Sequence, residues 1–319
     1  MKKVNIKQKL SFLLIVLCAG IAVFLYVNFV IKGKFFTNQS NLHTEKLNHN
    51  SKPLISKDSV ISEKSSAVFK ILINPSGKTI AERIRVPEGY QRIPVPKGSF
   101  SEFVRNLPLK PHGWKVHYYN GQEKFNDVYV AVLDIDVGDR DLQQCADAAI
   151  RLYAEYLYKN KQYDRIHFNF TNGFRADFKR WMEGYRIKVE GNRAYWVKKA
   201  GYCNDYQCFR RYLDMVFAYA GTLSLLKELK KVPLEDMQIG DVFLDENHCE
   251  IIVDIAQNKN TGEKIFLLAQ SYMPAQEIHI LKNPANEDEN NPWYSINFGD
   301  MLTTPEWQFK KESVYRFGE

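Results

Sequence analysis

The sequence predicts an α+β fold in which a helix carrying Cys145 packs on a C-terminal antiparallel sheet or half-barrel, behind an N-terminal transmembrane helix. Three observations predict it. An apolar helical stretch follows Gln144-Cys145-Ala146-Asp147-Ala148; a series of β-branched runs fills the chain beyond residue 240; and Leu10 to Ile31 forms 22 residues without a charged side chain. A helix of that length crosses a hydrocarbon core of roughly 30 Å.

The elements follow in chain order. Lys2, Lys3, Lys7 and Lys9 precede the apolar run and only Lys32 and Lys34 closely follow it, so the excess of positive charge keeps residues 1–9 in the cytoplasm and places the rest outside. An uncleaved signal anchor over 10–31 is the expectation. A cleaved signal peptide is the rival, although its apolar core usually runs about 7–15 residues. Cys18 lacks the small preceding residue of a bacterial lipoprotein signal and reads as a membrane-buried thiol. Residues 32–66, rich in Asn, Ser, Lys and Thr, bury too little apolar surface to fold and read as a flexible tether.

Charge is more informative by position than in total. The net +7 resides in residues 1–65, where 10 Lys/Arg meet 3 Asp/Glu, and the remaining residues balance at 34 against 34. A domain from 67 to 319 without a basic excess lacks the electrostatic footprint of a nucleic-acid binder. With 45% hydrophobic residues overall, it is long enough to bury a core.

Within that domain, Ser99 to Leu107 reads as a short helix with Ser99 as N-cap and Glu102 three residues on. Val116 to Tyr119, the turn Asn120-Gly121, and Asp127 to Asp134 read as a hairpin. The Cys145 helix is expected to start near Asp139 or Asp141 and to run to about Lys159. Leu142, Cys145, Ala149, Leu152 and Tyr156 fall on one stripe of it. A thiol on such a stripe is commonly a small core hydrophobe; near a helix start and beside an imidazole it is a nucleophile. Residues 159–235 read as an insertion containing a second helix, Asp205 to Lys230. Cys203 and Cys208 bracket the start of that helix and either pair as a disulfide or bind metal. No CxxC pair or nearby His favours the metal, and no cofactor is expected.

Asp241 to Leu244, Cys249 to Ala256, Lys264 to Gln270 and Glu277 to Leu281 read as four strands. Along the second, Cys249, Ile251, Val253 and Ile255 form one face and His248, Glu250, Ile252 and Asp254 the other, so His248 is out of phase with the wholly apolar face. A catalytic imidazole needs a group to set its tautomer. The side-chain carbonyl of Gln270, at the end of the third strand, is placed to accept the ring N–H, with Ser271 a weaker candidate. Gln144, immediately before Cys145, offers an amide to an oxyanion.

Gln144-Cys145 on a helix, Gly240-Asp241-Val242-Phe243, His248-Cys249-Glu250-Ile251-Ile252-Val253 and a strand ending in a polar residue together resemble the cysteine- and histidine-dependent amidohydrolase/peptidase group of papain-like cell-wall hydrolases. These segments, with Phe266 to Gln276, also resemble an exported bacterial family of unassigned function, DUF4846-like, over roughly residues 80 to 300. The first resemblance implies a papain-like fold that cleaves amide bonds in peptidoglycan, with Cys145 as nucleophile, His248 as base and Gln270 as orienter, and with Gln144 and Ser271 in support. The expectation is therefore a single-pass protein of the cytoplasmic membrane whose domain lies outside the cytoplasm, periplasmic or extracellular, and acts on cell-envelope peptide. The alternatives are a catalytically silent envelope-binding or scaffold domain on the same fold and, third, a transglutaminase-like Cys-His enzyme.

Overall fold

Two long strands, Cys249–Asn258 (β5) and Lys264–Gln270 (β6), form the centre of the molecule. Both are dense in Ile, Val, Leu and Phe, and almost every residue in them is buried. The computed structural model describes residues 72–318; the expected membrane segment and tether lie outside them. Among the described residues no helix is long and apolar enough to cross a membrane.

Seven shorter strands complete a nine-stranded, wholly antiparallel sheet: Tyr90–Arg92 (β1), Tyr129–Val132 (β2), Lys230–Lys231 (β3), Val242–Leu244 (β4), His279–Leu281 (β7), Tyr294–Ser295 (β8) and Val314–Arg316 (β9). The order is β2-β7-β6-β5-β4-β9-β3, with β1 also on β5 and β8 also on β6. The α+β class is thus as expected, with an antiparallel sheet and few helices. The helices are Ile80–Arg83 (α1), Phe100–Arg105 (α2), Cys145–Lys159 (α3), Phe178–Met182 (α4), Tyr206–Phe217 (α5) and Thr222–Glu228 (α6). Helix α3 packs on β5 and β6. A separate hairpin, Met301–Thr303 with Gln308–Lys310, adds Phe309 to the stack of Phe243 on Phe266.

The structure departs from the sequence-based expectations in four places. The turn at Asn120-Gly121 folds the 116–119 segment back on residues 122–124, with Lys124 N donating to Val116 O at 2.7 Å. Tyr129–Val132 instead pairs with β7, because its buried side chains complete the edge of the large sheet. The expected helix 205–230 is two: Gly221 has extended backbone, and the Ser224 hydroxyl accepts from Gly221 N at 2.9 Å, starting a new helix. Helix α3 begins at Cys145, not at Asp139 or Asp141. Asp141 cannot cap it, since its Oδ1 accepts Ala275 N at 2.7 Å and Gln144 Nε2 at 3.0 Å.

The fourth departure lies within β5. Phe243 is the cross-strand partner of Glu250, Phe266 is the partner of Ile255, and the two phenylalanines stack. Glu250 and Ile255, an odd number of residues apart, therefore share a face, which unbroken alternation forbids. The cause is a β-bulge, where Leu267 pairs with Asp254 but Leu268 pairs with Ile252. One extra residue reverses the phase of everything beyond it. Asp254 accordingly turns to Arg105 of α2, while Glu250 and His248 turn toward the 301–310 hairpin.

Candidate functional site

Cys145 is the first residue of α3, so its thiol sits beside the orphan N–H groups and the positive dipole end of a helix start. The start is built by its neighbours. Gln144 N donates to Asp147 Oδ2 at 3.1 Å, and buried Arg151 on the next turns reaches Gln143 Oε1 at 2.9 Å, Asp136 O at 3.1 Å, Glu155 Oε1 at 2.7 Å and Tyr206 Oη at 3.0 Å. One guanidinium thereby fixes α3 to the segment preceding it and to α5. Cys145 itself is 8% exposed.

His248, immediately before β5, is buried, and its backbone N donates to Asp245 Oδ1 at 2.9 Å. Nε2 lies 2.8 Å from Gln270 Oε1. The direction of that bond follows from the far side of the amide. Gln270 Nε2 donates to Glu306 Oε2 at 2.7 Å, and Glu306 is bridged to Lys124 Nζ at 2.8 and 3.0 Å. A carboxylate paired with an ammonium accepts only, so the amide nitrogen must face Glu306 and the carbonyl must face His248. His248 Nε2 therefore carries the proton and Nδ1 is left for the thiol. Burial alone would lower the basicity of the ring, but its hydrogen bond with Cys145 and the neighbouring Glu250 outweigh burial and raise its pKa from 6.5 to about 10.

The aromatic rings of Tyr272 and Trp307 lie 4.8 and 5.1 Å from the imidazole, centroid to centroid, and Trp307 Nε1 donates to Asp245 Oδ2 at 2.8 Å. Both rings pack against the imidazole. Behind Gln270, His279 donates from Nδ1 to Glu277 O at 2.9 Å. Its full burial lowers its pKa from 6.5 to about 4, keeping it neutral near pH 7.

The structure thus brings Cys145, His248 and Gln270 together. Gln144 is engaged elsewhere, its side-chain amide donating to Asp141 Oδ1 at 3.0 Å. Ser271 Oγ lies 2.9 Å from Gln143 O and 2.8 Å from Gln276 O, tying the approach to Cys145 to the chain beyond β6. Sequence reasoning missed Glu306, Lys124, Trp307 and Tyr272. They come from loops without periodicity, and only the adjacency of Tyr272 to Gln270 offered a signal. A cavity of about 940 Å³ lies elsewhere, lined by residues that include Val232, Leu234, Ile296 and Gly299. Among the described residues no cluster of His, Cys, Asp or Glu could hold a metal ion.

A family model described as domain of unknown function 4846 matches residues 80–316. No curated protein and no solved structure matches the chain.

Proposed function

This chain belongs to the family described as domain of unknown function 4846, and we propose that it is a thiol hydrolase with a papain-like site, acting on an amide bond in cell-envelope peptide of the peptidoglycan type. One observation carries the reading: a single buried imidazole meets a helix-start thiol and, through Nε2, a side-chain carbonyl whose orientation is dictated by Glu306.

In this reading Cys145 Sγ attacks the carbonyl carbon, and the developing oxyanion faces the backbone N–H groups at the start of α3, where one such donor is worth about 3–4 kcal/mol. The His248 ring gives its proton to the departing nitrogen as the C–N bond breaks. The neutral ring then takes a proton from the water that attacks the thioester, and acid release returns the thiol and imidazole to their starting state. Gln270 keeps the ring in the productive tautomer throughout.

The same reading places the domain outside the cytoplasm, on a membrane anchor at residues 10–31. The Cys203–Cys208 disulfide supports this, since disulfides persist in oxidising compartments. The full-length chain should stay with membranes after a carbonate wash and be digested by protease added from outside.

A catalytically silent envelope-binding domain is the second reading, favoured by the small exposure of Cys145. One experiment separates the two. Purified full-length chain is incubated with peptidoglycan stem peptide and new amine is measured. Amine release that is lost in Cys145→Ser and His248→Ala is the expected result; retention of the peptide without cleavage would establish the silent domain.

A further inference from the structure

We infer that Glu250 is a positioning residue of this site, a buried carboxylate that holds the His248 ring in its protonated form opposite Cys145. The inference rests on the thiol–imidazole reading above. Glu250 is completely buried. Its Oε1 accepts from Thr304 Oγ1 at 2.8 Å and lies 3.6 Å from His248 Nε2, while its Oε2 has no hydrogen-bond partner among the described residues. A buried carboxyl oxygen left without a partner is destabilising, so this side chain is not explained by packing alone.

Most of the other polar groups around the ring have partners of their own. Asp245, from the turn before β5, accepts His248 N and Trp307 Nε1. Glu306, from the 304–307 turn, is held by Lys124 and Gln270. His279 of β7 is bonded to Glu277 O, and Asp147 of α3 accepts Gln144 N on Oδ2, its buried Oδ1 having no partner among the described residues. The Tyr272 ring covers one side. Among the described residues only Cys145 and Glu250 bring acidic groups directly to the imidazole. A thiolate–imidazolium pair in a dry site tends to collapse to the neutral pair, because desolvation penalises both charges. A second anion beside Nε2 opposes that collapse by stabilising the charge on the ring.

The test uses full-length chain in detergent with ¹⁵N-labelled histidine, the His248 signals being identified by their loss in His248→Ala. In Cys145→Ala the thiol no longer supports the ring's charge. If Glu250 does, the ring titrates above 6.5 by about one unit or more. Titration at or below 6.5, the effect of burial alone, would overturn the inference, and this measurement leaves Glu250 intact and so does not depend on how a Glu250 variant folds.

The second readout is the rate of Cys145 alkylation by iodoacetamide against pH. Glu250→Gln should slow it about tenfold near pH 7. If His248→Ala slows alkylation but Glu250→Gln does not, the role of Glu250 falls and the thiol–imidazole reading stands. If His248→Ala has no effect, both fall.

Discussion

Strand β5 carries two buried carboxylates four residues apart, and they differ in how completely they are answered. Asp254 Oδ1 accepts Arg105 Nε at 2.7 Å and Ile255 N at 2.9 Å, and its Oδ2 accepts Arg92 Nε at 2.6 Å. Glu250 has one hydroxyl, one imidazole at 3.6 Å and one oxygen with no hydrogen-bond partner among the described residues. Burial pushes the Glu250 carboxyl up, though the ring and the Thr304 hydroxyl pull it back. A fully answered charge is structure, and a half-answered charge beside a titrating ring is available for chemistry. The bulge between them lets one strand serve both ends, since it turns Asp254 toward α2 and Glu250 toward the hairpin.

The largest effect should come from the structural end. Arg105→Ala removes one partner of a buried carboxylate and should lower stability by about 3–5 kcal/mol, measured by urea unfolding, while Cys145 alkylation in the folded protein stays unchanged. A lost alkylation rate in that variant would mean that the two ends of β5 are not separable.

At the other end, Gln270→Ala should lower turnover on stem peptide about tenfold to a thousandfold through loss of ring orientation. It should also cost about 1–3 kcal/mol of stability because the amide serves Glu306 and His279 as well. Unchanged turnover in the folded variant would leave at most a Cys145 and His248 dyad. His248→Ala should slow Cys145 alkylation at pH 7 by about tenfold or more, since the imidazole is the base beside the thiol. A Cys145 that labels only after denaturation would be a core thiol.

What the sequence made legible were local patterns. The runs that became β5 and β6, the capped helix at Ser99, and the order of thiol, imidazole and amide all follow from alternation, spacing and residue type. The start of α3 was hidden because Asp141 has the chemistry of an N-cap but is taken by Ala275 N, a partner 134 residues away. The face of Asp254 was hidden because nothing in Ile251-Ile252-Val253-Asp254 announces a bulge. Glu306 and Lys124 were hidden because their roles arise from a pairing 182 residues apart in the chain, and Glu250 because its neighbour His248 drew the functional reading while its own partners lie in a distant hairpin.

The smallest effect is a slope. His248 has its folded pKa raised from 6.5 to about 10, so the native state holds a proton that the unfolded chain has released between those values. Its stabilising contribution is complete below pH 6.5 and is lost as pH rises through about 10. With Cys145 facing the charged ring as a thiolate, as the proposed mechanism requires, the unfolded thiol (ordinary pKa about 8.5) holds the compensating proton up to that pH, so the melting temperature should fall only from about pH 8.5 to 10, at about 2–4 °C per kcal/mol for a domain of this size. Buried tyrosines such as Tyr294 have their pKa values raised from 10, so their ionisation lies above the window. His248→Ala should flatten the slope. Arg105→Ala should lower the melting temperature by the same amount at pH 7 and pH 9.5, because a guanidinium does not titrate there. Melts at pH 6.5, 8 and 9.5 on the three proteins decide it: a slope that persists unchanged in His248→Ala would show that the ring is not the proton-holding group, and the contrast between the two ends of β5 would lose its electrostatic basis.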